Sequence, residues 1–406
     1  MKKVTGGVCA AKGFRAAGMH CGIRKDKSRF DLALIAADKV CTAAALYTTN
    51  KVKSAPIYVT KKNLSDGRAM AVVANSGNAN ACVTGGEDAA ERMCAAAAKA
   101  LGISASDVIV ASTGVIGQPL HVEFIESGMK ECAGKLSADE SGANDAAKAI
   151  MTTDTFKKEA AVEFELDGHT ARIGGMAKGS GMISPKMATM LCFITTDAAI
   201  SSQMLETALR DITDRTFNCV SVDGDTSTND TVAVMANGLA GNTEITAPTA
   251  AFDAFKAALL SVCTSLCKDM AKDGEGATKL LECLITHAPS EQVARVLAKS
   301  VINSSLVKTA FFGADANWGR ILCALGYADA PLKVDRVKIE LSSPKGTILV
   351  CENGQGVDFS EEKAKEILLE NEIKVLIDLS DGDASGEAFG CDLSYEYVRI
   401  NGDYRT

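Results

Sequence analysis

Gly175-Met176-Ala177-Lys178-Gly179-Ser180-Gly181-Met182-Ile183-Ser184-Pro185-Lys186-Met187-Ala188-Thr189-Met190-Leu191-Cys192-Phe193-Ile194-Thr195-Thr196 is the stretch on which the reading of this chain turns. A glycine-rich loop stiffened by Pro185 feeds Ala188-Thr189 into the apolar segment Leu191–Ile194, which reads as a buried strand. On one reading Thr189 is β-branched filler at the start of that strand. On the other, its hydroxyl attacks the carbonyl of Ala188, which the small alanine leaves accessible. The resulting ester is hydrolysed by water. That cut frees an α-amine on Thr189 with a reference pKa of about 7.7–8.0, able to act as general base for its own hydroxyl.

Around this stretch strands and helices alternate without an internal repeat. Strands are expected at Leu32–Ala36, Val40–Leu46, Ala69–Ala74, Val108–Ala111, Cys219–Val222 and Thr231–Met235. Val337, Ile339 and Leu341 alternate with charges, and Leu393, Tyr395 and Tyr397 also repeat at period two. Helices are expected at Glu87–Leu101, Ser202–Phe217, Ala250–Lys272, Ser290–Ser300 and Glu361–Glu370. Several strands follow one another with no helix between them. The fold class is therefore α+β, a layered α/β arrangement of mixed or antiparallel sheets packed against helices.

At 406 residues, with 47% hydrophobic and 23% charged side chains, the chain can bury a sizeable core and is not a disordered one. Its net charge of −8 lacks the basic excess that phosphate binding requires, so no nucleic-acid partner is expected. No window reaches 18 uninterrupted apolar residues, and the basic N-terminus leads into no apolar run. Neither a membrane span nor a signal peptide is expected. The 14 cysteines then read as reduced, cytoplasmic thiols acting as small hydrophobes.

Four histidines (His20, His121, His169 and His287) leave few bases for a Ser/His/Asp mechanism. The spacing of Cys263, Cys267, Cys283 and His287 could be read as a zinc site. Cys263 and Cys267 fall at i, i+4 in an apolar helix, however, which favours burial over ligation, and no metal or cofactor is expected. In Cys219–Ser227 a strand delivers Asp223-x-Asp225 in the manner of a haloacid-dehalogenase-type phosphatase, leaving a Mg²⁺-dependent phosphotransferase as one alternative function.

The chain resembles the ornithine (glutamate) N-acetyltransferases over essentially its whole length. The resemblance is carried by Tyr47-Thr48-Thr49-Asn50, Asn75-Ser76-Gly77-Asn78-Ala79-Asn80-Ala81-Cys82, Ser112-Thr113-Gly114-Val115-Ile116-Gly117 and Met151-Thr152-Thr153-Asp154-Thr155. It continues through Met187-Ala188-Thr189-Met190-Leu191, Asp273-Gly274-Glu275-Gly276-Ala277-Thr278-Lys279, Ala316-Asn317-Trp318-Gly319-Arg320 and Asn401-Gly402-Asp403-Tyr404-Arg405-Thr406. One departure stands out: where the family reads Asn-Ala-Cys-Thr-Gly, Val83 intervenes in Ala81-Cys82-Val83-Thr84-Gly85.

The resemblance implies self-cleavage between Ala188 and Thr189, giving an α chain of residues 1–188 and a β chain of residues 189–406 assembled as an α2β2 heterotetramer. It implies a ping-pong transfer of acetyl from N2-acetylornithine to Thr189 and on to glutamate, with acetyl-CoA a possible second donor. An oxyanion hole is implied at the Thr113 hydroxyl and the Gly114 N–H, and substrate contacts at Thr152, Lys178, Thr189, Glu275, Asn401 and Thr406. Among these, Lys178 suits a carboxylate and Glu275 a substrate amino group. The implied architecture is related to self-cleaving aminopeptidases, and a Thr-nucleophile aminopeptidase is the second alternative.

Overall fold

The computed structural model describes residues 1–184 and 190–403. Two mixed sheets carry the fold. In the nine-stranded first sheet, Lys158–Leu166, His169–Lys178, Leu191–Thr196, Thr231–Ala236, Leu32–Tyr47, Arg68–Asn75 and Val108–Ser112 follow one another in space. Two of its neighbour pairs are parallel: Leu191–Thr196 with Thr231–Ala236, and Arg68–Asn75 with Val108–Ser112. Parallel neighbours need a long crossover. The helices Ser202–Arg215 and Gly86–Leu101 lie in those two connections.

The seven-stranded second sheet centres on Leu280–Ala288, parallel to Glu372–Asp378 and antiparallel to Ala384–Cys391. Between the two sheets runs the helix Ala250–Lys272, which contacts strands of both. It is long and apolar enough to cross a membrane, but its apolar side chains are committed elsewhere. Phe252, Phe255, Leu259, Val262, Cys263, Leu266, Cys267 and Met270 are buried at three- and four-residue steps in one shared core. Each such Phe or Leu contributes about 1.5–3 kcal/mol by leaving water. Gly86–Leu101 and Val122–Gly134 cover the far strands of the first sheet, while Glu291–Asn303, Trp318–Gly326 and Glu361–Leu368 cover the outer face of the second. This is the α+β layering expected.

Three local expectations are corrected. The two strands expected at Leu32–Ala36 and Val40–Leu46 are one strand, Leu32–Tyr47, whose register against Arg68–Asn75 shifts between Ala36 and Cys41. Cys219–Val222 is a 3-10 turn running into a two-residue strand, Val220–Ser221. Most tellingly, the alternation at Leu393, Tyr395 and Tyr397 belongs to a helix, Tyr395–Asp403. There Ser394 accepts from Glu396 N and donates to Gly276 O, fixing the helix start against a loop 118 residues away in sequence.

Candidate active site

Thr113 and Gly114 follow the strand Val108–Ser112. Their backbone lies against Asn75–Asn78: Thr113 N donates to Asn75 O at 3.0 Å, and Asn78 bridges to both Thr113 and Val115. Gly114 has φ +134°, and a Cβ there would stand 2.4 Å from Gly77 C and 2.6 Å from Asn78 N. Only glycine fits so close a backbone crossing. Among the described residues nothing accepts from the Gly114 N–H or pairs with the Thr113 hydroxyl. Both are free donors facing a cavity. Val83, the extra residue of the preceding loop, is half-buried, and Ala81 O accepts from Gly117 N at 3.0 Å. The insertion leaves the Thr113-Gly114 turn tied down.

Thr152, Thr153, Lys178, Gly181, Met182, Glu275 and Asn401 complete the cavity with Ile116, Ser227, Thr228 and Asn229. Lys178 ends the strand His169–Lys178 and is buried. Its ammonium lies 3.8 Å from Asp154 Oδ2. Burial pulls the Lys178 pKa down, the Asp154 carboxylate works the other way, and the Lys158 charge lowers it further. Glu275 reaches over Gly181, where a Cβ would stand 2.4 Å from its carboxyl carbon. Its Oε2 accepts from Asn401 Nδ2 at 2.8 Å, so the helix Tyr395–Asp403 delivers Asn401 to the loop that follows the long core helix Ala250–Lys272.

Beneath Lys178 lies an ion network. Asp154 accepts from Lys158 Nζ at 2.7 Å, Thr152 N at 2.9 Å and Gly179 N at 2.8 Å. Lys158 also donates to Asp273 at 2.5 Å, and Asp273 in turn binds the Thr155 N–H and hydroxyl. Against the burial that raises it, the Lys178 and Lys158 charges hold the Asp154 carboxyl well below the usual carboxylate range. A carboxyl held below its unfolded value of about 3.9 stabilises the fold above that pH, and the contribution is lost as pH falls toward the folded value. Asp154→Asn leaves Lys178 without its ion-pair partner and Lys158 half-paired. Breaking a buried pair this way costs about 3–5 kcal/mol, which a denaturant midpoint at pH 7 will register.

Thr113, Gly114, Thr152, Lys178, Glu275 and Asn401 thus come together from five separate parts of the chain. Ala188, Thr189 and Thr406 lie outside the described residues. The flanks of Ala188-Thr189 are held on both sides. Upstream, Met182 N and Ile183 N donate to the Asp223 carboxylate at 2.6 and 2.8 Å, and Ile183 O accepts from Val222 N. Downstream, Met190 N donates to Asp230 Oδ1 at 2.9 Å, and Met190 O accepts from Thr231 N.

Asp223 is therefore engaged in fixing a loop, and Asp225 is exposed. Cys263, Cys267 and Cys283 are core side chains, whereas His287 points outward to Asp378. Among the described residues no three metal-ligating side chains gather. Residue-level reasoning had not singled out Asp154, Lys158, Asp273, Asn229 or Asp230. Two of them stand inside quoted motifs; Asn229 and Asp230 immediately precede the apolar strand Thr231–Ala236 and Lys158 opens the strand Lys158–Leu166, whereas Asp273 closes the long helix Ala250–Lys272.

From residue 15 to residue 406 the sequence matches the ArgJ family. The chain belongs to it. Curated relatives bearing the name arginine biosynthesis bifunctional protein ArgJ include that of Caldanaerobacter subterraneus, 49% identical over the full length of both chains. That of Bacillus subtilis is 46% identical over 100% of this chain and 98% of its own. Among solved structures, the ArgJ protein of Bacillus halodurans is 46% identical with a TM-score of 0.50, covering 52% of this chain and 98% of its own. An ornithine acetyltransferase of Mycobacterium tuberculosis, solved with ornithine, is 35% identical with a TM-score of 0.41, covering 46% and 96%. As an ArgJ family member the chain is an acyltransferase enzyme of arginine biosynthesis.

Proposed function

We infer that this ArgJ family enzyme cuts itself between Ala188 and Thr189 and then moves an acetyl group from N2-acetylornithine to glutamate through an acetyl ester on Thr189. The products of the cut are residues 1–188 and 189–406, assembled as an α2β2 heterotetramer that works in the cytoplasm. The observation that carries this reading is the convergence of Thr113, Gly114, Lys178, Glu275 and Asn401 on one cavity whose wall includes Met182, itself part of the anchored upstream flank, and Asn229, next to the Asp230 that anchors Met190 downstream of the cut. The Bacillus halodurans chain, about half as long as this one, has the length expected of one product.

In the forward half-reaction the Thr189 hydroxyl attacks the acetyl carbonyl while the Thr189 α-amine takes its proton. The oxyanion receives the Thr113 hydroxyl and the Gly114 N–H. The C–N bond breaks as the α-ammonium passes its proton to the leaving ornithine nitrogen. Glutamate's amine then attacks the ester, and Thr189 regains its proton. Lys178 pairs with the α-carboxylate that both substrates carry. Glu275, oriented by Asn401, receives the cationic end of ornithine, and Thr152 and Thr406 supply further contacts. Acetyl-CoA serves as a second donor in bifunctional members of such a family.

The half-reaction provides the test. Wild-type protein incubated with N2-acetylornithine and no glutamate should release ornithine in one burst. Denaturing mass spectrometry should then find the fragment beginning at Thr189 heavier by one acetyl group, and adding glutamate should remove it. An unmodified fragment alongside steady transfer would rule out the acetyl-enzyme.

A further inference from the structure

Asn229 is buried in the cavity wall, two positions before the strand Thr231–Ala236. Its side-chain Nδ2 donates to Ala79 O and to Ser112 O, each at 2.7 Å, and its Oδ1 accepts from the Thr228 hydroxyl. Two carbonyl oxygens against one atom require that atom to be the amide nitrogen, which has a hydrogen for each. Ser112 is the residue before Thr113. Ala79 N donates at 2.9 Å to the oxygen of Val115, the residue after Gly114. One amide thus grips the Thr113-Gly114 turn on both sides, directly and through Ala79.

That grip closes a fold in the first sheet. The strand Leu32–Tyr47 pairs at Leu32 with Asn75, itself paired with Ser112, and at Tyr47 with Thr231. Laid out straight at about 3.3 Å per residue, the two ends would stand about 50 Å apart. Asn229 beside one end nevertheless reaches Ser112 beside the other. The strand therefore doubles back, and the register break between Ala36 and Cys41 is where a bulged strand bends. Lys178 belongs to the Asn229 end, because it pairs with Leu191, which lies beside Thr231. The cavity forms where the two ends close on each other.

We propose that Asn229 is the positioning residue of the oxyanion donors, fixing the Thr113 hydroxyl and the Gly114 N–H relative to the half of the cavity that carries Lys178. This rests on the oxyanion role given to Thr113 and Gly114 above. Asn229 acts through the turn, since both hydrogens of its amide are spent on Ser112 O and Ala79 O. Without them the turn keeps its bond from Thr113 N to Asn75 O, but that bond lies within its own end of the sheet and sets nothing across the cavity. A misplacement of about 1 Å is enough to cost about 10²-fold in rate. Lys178, Glu275 and Asn401 make no hydrogen bond to Asn229 among the described residues, so substrate binding is left in place.

Asn229→Asp keeps the size of the side chain but sets carboxylate oxygens against two carbonyl oxygens. Asn229→Ser is smaller and neutral, so it separates the lost donors from the added charge and stands in if Asn229→Asp does not fold. Each should lower kcat for acetyl transfer about 10²-fold, counted per mole of cut enzyme by intact-mass spectrometry, with KM for N2-acetylornithine within a few-fold of wild type. The decisive readout is a cycle with Thr113→Val. In the wild-type background that substitution should cost about 10²–10³-fold; in the Asn229→Ser background, where the turn is already displaced, it should cost only a few-fold. Losses that multiply in the double variant, a raised KM with kcat unchanged, or wild-type kcat in both Asn229 variants would each leave Asn229 a structural residue and overturn the proposal. Wild-type transfer by Thr113→Val alone would instead overturn the oxyanion reading on which it rests.

Discussion

Thr189→Ala is expected to give one undivided chain of 42.3 kDa, where the wild-type protein gives two fragments summing to that mass plus one water. Acetyl transfer from N2-acetylornithine to glutamate should fall by about 10⁴-fold or more, as it does when the nucleophile of a covalent mechanism is removed. The size of the effect follows from two losses at one residue. The ester cannot form without Oγ, and without the cut the α-amine never becomes a base. Thr189→Ser separates them: it retains both groups, so it should cut and transfer, more slowly than Thr189. Intact mass and acetyl-transfer rate on the same samples decide the matter, and a cut Thr189→Ala protein would remove Thr189 from the chemistry.

The second large effect is expected at Gly114. A Cβ at φ +134° would press within 2.4 Å of Gly77 C and 2.6 Å of Asn78 N, both of them backbone atoms that cannot rotate aside. Gly114→Ala must therefore shift the turn, and with it the free N–H. Losing one oxyanion donor slows catalysis about 10²–10³-fold, and the strained backbone costs about 1–3 kcal/mol. Thr113→Val provides the contrast, since it deletes one donor without moving the turn. It should lower kcat by a similar order with KM little changed and leave the melting temperature nearly unaltered. Equal losses of stability in the two variants would argue that the turn is only structural. Both substitutions should also slow self-cleavage if the same donors hold the oxyanion of that step.

Much of the candidate site was legible before any fold was known, because its chemistry is local. Thr189 after a small residue and a Pro-stiffened loop could be picked out from consecutive residues, and Thr113-Gly114 came from a motif shared with the acetyltransferase family, standing after an apolar strand. The partners that hold Lys178 are not consecutive. Asp154 and Lys158 are four apart, which on a helix would make them neighbours, yet they meet across a bend at Thr155-Phe156 leading into the strand Lys158–Leu166 and are joined by Asp273, 115 positions away from Lys158. Asp223 looked like a catalytic carboxylate and is instead the acceptor that holds Met182 and Ile183.

The sequence by itself determined which elements could form wherever hydrophobic spacing persists over many residues, as in the 23-residue helix Ala250–Lys272, along with the motifs that place the chain in its family. Only the tertiary structure decided the short or ambiguous pieces. Leu393, Tyr395 and Tyr397 alternate as a strand would, but they border a helix because Ser394 bonds to Gly276 O and Tyr397 reaches Asp223. Three side chains cannot overcome contacts made to two distant loops. The same holds for Asp230, whose carboxylate holds Met190 N across 40 residues of sequence. Periodicity is a property of neighbours along the chain, whereas burial and hydrogen bonds are properties of neighbours in space.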